Sequence, residues 1–454
     1  MRWTKSLRGF TTQYTYNIYG SPTQVTYPDG AVERFSYYPS GRLKQKWQAD
    51  GTSIQYVYDP KGRLIRETTF DSQRVVVKEE RMLYQGPLLQ AKIDGMGVTT
   101  TYTYDHVGRK IQETIGDLKI IHYAYDGFGR VIKIEQEGQQ EIYEYDGCDR
   151  VISKTWQDCQ GHVFAKKTYA FDFQGNQTKK TLWQTYQHRA VYGSDYHSDG
   201  TLNGQTNPLN HRTQWQYHHQ HLNEAGQRVQ LRTILDPLGR PTIEMDDPLH
   251  RLAKREVLDE ERKLSSMQFA YDAAGHCIKE QASVMADGQF LRDYWVERSY
   301  NSRGLLEWEK EMPAGKTFSY QYDAMGYLQK KTKPDGVEIF YTYDPLGRIK
   351  TLTSSDHTLA YTYLYDGHDN IIQVQDHVHH FTQNRSFDPW DRLIQEEILP
   401  GIFLHYTYDA LDRLIKMSLP DGSTVSYCYD AYHLKKIQRF NLLGEQVYDI
   451  HSMP

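Results

Sequence analysis

His211, His218, His219 and His221 fall within eleven residues, and His377, His379 and His380 within four. Histidines two apart on a strand share a face and can reach one metal ion. Such a site needs further ligands at a set spacing. Neither cluster has a cysteine or carboxylate in a recognisable ligand pattern, so both read as polar hairpins in a chain of 19 histidines, with no metal or cofactor expected. Nucleophilic chemistry fares no better. Serine, histidine and aspartate abound, yet there is no G-x-S-x-G elbow and no H-E-x-x-H helix. The 58 Asp and Glu offer no pair that stands out as an acid and a base. No catalytic residue is assigned, and the chain reads as a non-enzyme.

One polar set does recur at fixed spacing. "YDPKGR" supplies Tyr58, Asp59, Gly62 and Arg63; "YDHVGR" supplies Tyr104, Asp105, Gly108 and Arg109; "YDGFGR" supplies Tyr125, Asp126, Gly129 and Arg130. Far along the chain "YDPLGR" repeats the phrase at Tyr343, Asp344, Gly347 and Arg348, and "YDALDR" at Tyr408, Asp409 and Arg413. An Asp and an Arg four apart could be read as catalytic, but the copies drift too freely for that. Asp replaces Gly in "YDGCDR" and "YDALDR", Asn301 replaces Asp, and Phe171 and Phe387 replace Tyr. A turn tolerates such drift and a catalytic motif does not. Here Asp accepts hydrogen bonds from turn amides and Gly takes the left-handed position. Arg pairs with an Asp or lies over a tyrosine ring.

The spacing shows what holds these turns. Successive copies begin at Tyr16, Tyr37 and Tyr58, and later at Tyr343, Tyr365, Phe387, Tyr408 and Tyr429, 21 or 22 residues apart. Between them lie Pro-Asp-Gly turns, as in "YPDGAVERFSY", "KPDGVEIFYTY" and "LPDGSTVSYCY". Alternation such as "TTTYTYD" fills the intervals, and 37 tyrosines suit a pleated, half-buried surface. One repeat is therefore one β-hairpin, and tyrosines at i and i+2 form a ladder on one face. A lone hairpin is marginal in water, so the copies must pair edge to edge into one long antiparallel sheet that twist curls towards a spiral or barrel.

Composition excludes other classes. The 53 Lys and Arg against 58 Asp and Glu leave a net charge of −5, which gives no electrostatic case for nucleic acid. No run approaches the roughly 20 apolar residues of a membrane-spanning helix, and the start shows no signal peptide. Cys148, Cys159, Cys277 and Cys428 are too scattered for a disulfide framework.

The string YDxxGR with interleaved PDG resembles the RHS or YD-repeat family, most clearly over 14–155 and 300–438. That family includes bacterial polymorphic toxins, the C components of toxin complexes, cell-wall-associated proteins and the teneurins. The resemblance implies an all-β fold, a spiralling sheet that forms an open or closed cocoon-like shell. It also implies a non-enzymatic role enclosing or presenting a toxin or effector polypeptide, alone or with a neighbouring RHS subunit, in a secreted or surface-associated setting. Adhesion to a carbohydrate or cell-surface glycan is the alternative, and an inactive fragment of a larger protein a further one. The expected organisation is one continuous repeat domain: regular hairpins over 1–190, degenerate repeats over 191–299 and regular hairpins over 300–454. Neither the family's associated core nor a toxin domain is expected within it, and no protease aspartates are carried over.

Overall fold

The computed structural model describes residues 2–451 except 7, 117–118, 137, 184–188, 261, 287–288, 389, 410–411 and 430–432. Among these, forty β-strands run from β1 (Arg2–Lys5) to β40 (Gln446–His451), with no helix. Each strand pairs antiparallel with its neighbours in sequence, as in the pairings Arg2↔Tyr14 and Lys436↔His451 at the two extremes. The span 191–299 continues the same meander, with the longest strands of the chain at Arg212–Leu222 and Gln289–Tyr300. The two outermost strands do not pair with each other, so the sheet is open.

One loop design makes nearly every turn. At Asp59 the amide N–H donates to the Arg63 carbonyl at 2.9 Å, and the Gly62 N–H donates back to the Asp59 carbonyl at 2.8 Å. Gly62 sits at φ +84°, a left-handed conformation that a Cβ disfavours. The extra residue shifts the ladder by one, so that Tyr58 pairs with Leu64 while Val57 pairs with Arg66. The Pro-Asp-Gly turns use the same frame: Tyr27 donates to Ala31 and Gly30 to Tyr27, each at 2.9 Å. Because strands alternate in direction, the two kinds of turn are sorted by geometry. The YD turns line one edge of the ribbon, and the Pro-Asp-Gly and related turns line the other.

The ribbon coils, and its pitch can be read from side chains. Arg303, in the turn after β26 (Gln289–Tyr300), pairs with Asp29 in the turn after β3 (Pro22–Thr26) at 2.7 Å. His368, after β32 (Ala360–Tyr365), reaches Asp94 after β9 (Leu88–Ile93) at 2.9 Å. Trp390, after β34 (Phe381–Phe387), carries the ammonium of Lys119, which follows β11 (Lys110–Ile115), 5.3 Å from its ring centre. Each contact spans 23 strands. One revolution is therefore 23 strands, and the YD edge of the second revolution rests on the opposite edge of the first.

The coil has no ordinary core. Seven hydrophobic residues are buried among those described, and no large side chain is fully buried. The exposed area is 27223 Å², whereas a compact chain of 53.3 kDa would expose about 18,000 Å². A single-layer wall with water on both faces accounts for the excess. At about 4.8 Å per strand, a 23-strand circuit measures roughly 110 Å, a ring about 35 Å across if circular.

Candidate functional site

The recurring polar residues assemble into a relay along the YD edge. Arg63, Arg109, Arg130, Arg348 and Arg413 each donate from Nε to the carboxylate of their own turn aspartate, Asp59, Asp105, Asp126, Asp344 and Asp409, at 2.7–2.8 Å. The same aspartate accepts the arginine's backbone N–H at 2.9–3.0 Å. That N–H from Arg63 is the main reason the Asp59 carboxyl lies below its usual range. Gly108, Gly129 and Gly347 adopt φ +88°, +86° and +83°, as Gly62 does in its own turn.

Each arginine also reaches forward to the next repeat. The guanidinium of Arg109 lies 4.9 Å from the ring centre of Tyr125, Arg130 4.7 Å from Tyr145, Arg348 4.5 Å from Tyr365 and Arg413 4.8 Å from Tyr429. Arg109 and Arg348 also donate from Nη1 to the carbonyls of the next turn aspartates, Asp126 and Asp366, at 3.2 and 2.8 Å. Tyrosine reaches backward. The hydroxyls of Tyr104, Tyr125, Tyr343 and Tyr408 donate to the carbonyls of Leu89, Lys110, Leu328 and Leu393 at 2.7–2.9 Å. Tyr58 makes an edge-on contact with Tyr38 at 6.0 Å and lies under Arg42 at 5.9 Å. The rungs are thus joined mainly through arginine and backbone rather than ring on ring, because neighbouring repeats place their rungs two strands apart.

Where Asp replaces the left-handed glycine, it does more than fill the turn. Asp149, Asp369 and Asp412 have φ of 62°, 71° and 60°. Their carboxylates accept from Nη1 of the preceding repeat's Arg130, Arg348 and Arg392 at 2.7–2.9 Å. Asp391 does the same for His368 and Asn370, at 2.9 and 2.8 Å. The substitution adds a rung to the relay. A signal for this was present in the sequence: three of these aspartates follow a repeat whose turn ends in Arg.

The seam between revolutions is the second constellation, and none of its members was singled out beforehand. Arg8 pairs with Asp272 at 3.3 Å and donates to the Asn301 carbonyl at 2.7 Å. Arg303 lies 4.6 Å from the ring centre of Tyr27 while paired with Asp29. His368 lies between two carboxylates, with Nε2 2.9 Å from Asp94 and Nδ1 2.9 Å from Asp391. The Asp94 hydrogen bond raises its pKa. Beside it, Met96, Val98, Ile115, Leu364 and Phe387 line a seam cavity of about 770 Å³.

The histidine clusters lie elsewhere. His218, His219 and His221 are exposed on the strand Arg212–Leu222, where His219 stacks on Tyr217. His379 faces Asp376 at 2.8 Å. Among the described residues no three His, Cys, Asp or Glu are placed to hold a metal ion. The tip of the turn that follows Tyr429 lies outside the described residues.

Comparison with family models agrees with this architecture. The teneurin YD-shell family model matches residues 242–448, and the RHS repeat model matches 37–74. The chain belongs to the RHS/YD-repeat family. No curated protein matches it. Among solved structures, the crystal structure of TcdB2-TccC3-TEV is 13% identical over 97% of this chain, with a TM-score of 0.47. TcdB2-TccC3 without its hypervariable C-terminal region is 12% identical over 99%, at 0.40, and a Photorhabdus luminescens Tc holotoxin pore is 12% identical over 97%, at 0.31. This chain spans 26% of the first of those chains and 34% of the other two.

Proposed function

We propose that this chain is a non-enzymatic shell segment whose work is to enclose a toxin or effector polypeptide. One observation carries the reading: a single-layer sheet returns upon itself every 23 strands and exposes 27223 Å², far more than a compact protein of this mass. A hollow wall of this kind offers containment. Among the described residues, the Asp and Arg that recur in it hold one turn to the next. Family membership supports the same role. Glycan binding has weaker support, since many rung tyrosines already present a ring to an arginine.

The test is co-expression with the polypeptide encoded beside this chain's gene, followed by limited proteolysis. Containment predicts a co-purifying polypeptide that survives protease doses which digest it when free. Absence of both co-purification and protection overturns the proposal.

A further inference from the structure

The same turn position is covered in one revolution and bare in the other. Two residues after the turn Asp or Asn stand Tyr19, Val107, Phe128 and Leu249 in the first revolution, with 74, 62, 87 and 66% of their surfaces exposed. In the second revolution the equivalent Met325, Leu346 and Trp390 are half-buried. Two of them lie at the seam: Met325 lines one cavity with Thr4, Phe10, Tyr27 and Pro28, and Trp390 carries the Lys119 ammonium. The surface that fits a YD edge is therefore the opposite edge of the same ribbon.

That opposite edge is unoccupied along its second half. The turn at 207–211 exposes Leu209 by 74%, and the turn at 236–240 exposes Leu238 by 77%. The described strands present two rims of complementary kind, one of YD turns and one of the turns that already bind YD turns. We propose that the YD rim is a docking surface for the opposite rim of a second copy of this chain, by the contacts that form the internal seam. The interface is heterologous, so it joins copies head to tail and does not close at two.

The coil also fixes the register. A second copy that continues the ribbon places its β1 beside β40, and antiparallel order is kept because forty is even. Its turn at 17–20 then stands at the forty-second strand. Stepping back one 23-strand revolution brings it onto the first copy's turn at 207–211. Ile18 and Tyr19, exposed by 91 and 74%, thereby meet Leu209. By the same step Phe128 meets the Pro-Asp-Gly turn at 333–336. Apolar tips that are otherwise bare are buried at both places.

The inference is independent of any cargo and is tested on the 454-residue chain by itself. Sedimentation velocity and light scattering over a concentration series should show mass rising beyond the monomer. Tyr19→Asp and Leu209→Lys should each raise the concentration of half-association by about tenfold, the effect of a lost apolar contact and a buried unpaired charge. The double variant should recover most of that loss, because the new charges face one another across the proposed contact. Both side chains are solvent-exposed within one copy, and unchanged far-UV circular dichroism would show that folding is unaffected. A chain that stays monomeric to about 100 µM overturns the proposal, as does association that Tyr19→Asp leaves unaltered.

Discussion

His368 bonds Asp94 across 274 residues of chain and Asp391 across 23, so one imidazole ties the two revolutions together. Both ring nitrogens face carboxylates, an arrangement satisfied only when both are donors, that is, by imidazolium. The other groups around it agree. Asp366 accepts its backbone N–H, and Asn370 donates to Asp391. The folded pKa of His368 is raised above 6.5, chiefly by Asp94. Its contribution is therefore fully present below about pH 6.5 and is lost as pH rises through the folded value. Hydrogen exchange in the turns at 94–98 and 366–370 should quicken over that alkaline step. His368→Ala should flatten the dependence at a local cost of about 1–2 kcal/mol.

Arg392, like Arg130, engages its own turn, the next turn and two aromatic rings. It holds Asp388 at 2.7 Å, Asp412 at 2.9 Å and the Asp409 carbonyl at 3.3 Å, and it lies near the rings of Trp390 and Tyr408. Lysine keeps the charge but not the planar fork or the stacking. Arg392→Lys is expected to lose most of what Arg392→Ala loses, about 1–2 kcal/mol against local opening. Exchange protection should fall in the hairpins at 381–399 and 402–418 and stay unchanged at 32–47, because a repeat array transmits stability mainly to its neighbours.

The left-handed turn position separates backbone strain from side-chain gain. Gly129, at φ +86°, has Arg109 nearest to where a Cβ would stand, at 4.0 Å. Alanine there should cost about 1–2 kcal/mol for the conformation alone. Aspartate tolerates that conformation better and would meet Arg109 as Asp149 meets Arg130. Gly129→Asp should therefore be milder than Gly129→Ala by about 0.5–1 kcal/mol, in equilibrium urea unfolding followed at this hairpin. Equal losses in the two variants would remove the pairing role assigned to Asp149, Asp369 and Asp412.

Most of the wall was legible in the residues, because a hairpin is a local object. Tyr58 to Arg63 and Tyr343 to Arg348 spell their turns in six letters, and the alternation beside them spells the strands. The relay was half legible: Asp59 beside Arg63 is a spacing, but the reach of Arg109 to Tyr125 needs the pairing of three strands. That the sheet coils was legible from strand twist, but the pitch of the coil was not. Its 23-strand period is the sum of a small rotation at every strand, and no residue encodes that sum. Asp29, Asp94, Arg303 and His368 therefore looked like ordinary turn residues. Their partners lie one revolution away, at a distance that a 21-residue repeat does not announce.

The tyrosine hydroxyls give the last test, since the chain contains its own controls. Tyr343 donates to the Leu328 carbonyl at 2.7 Å and Tyr365 to Ile349 at 2.8 Å, whereas Phe171 and Phe387 stand at the same position without a hydroxyl. Phenylalanine thus fits the site, and the variant isolates one hydrogen bond. Tyr343→Phe leaves the Leu328 carbonyl short of a partner and should cost about 1 kcal/mol. Phe387→Tyr should recover a similar amount, its new hydroxyl meeting the Asn370–Ile372 backbone one strand back, as Tyr408 meets Leu393. Burial raises the pKa of Tyr343, so the bond persists across the neutral range and the cost of Tyr343→Phe should be the same at pH 6 and pH 8. A loss that shrank as pH rose over that interval would assign the effect to the His368 seam rather than to the rung.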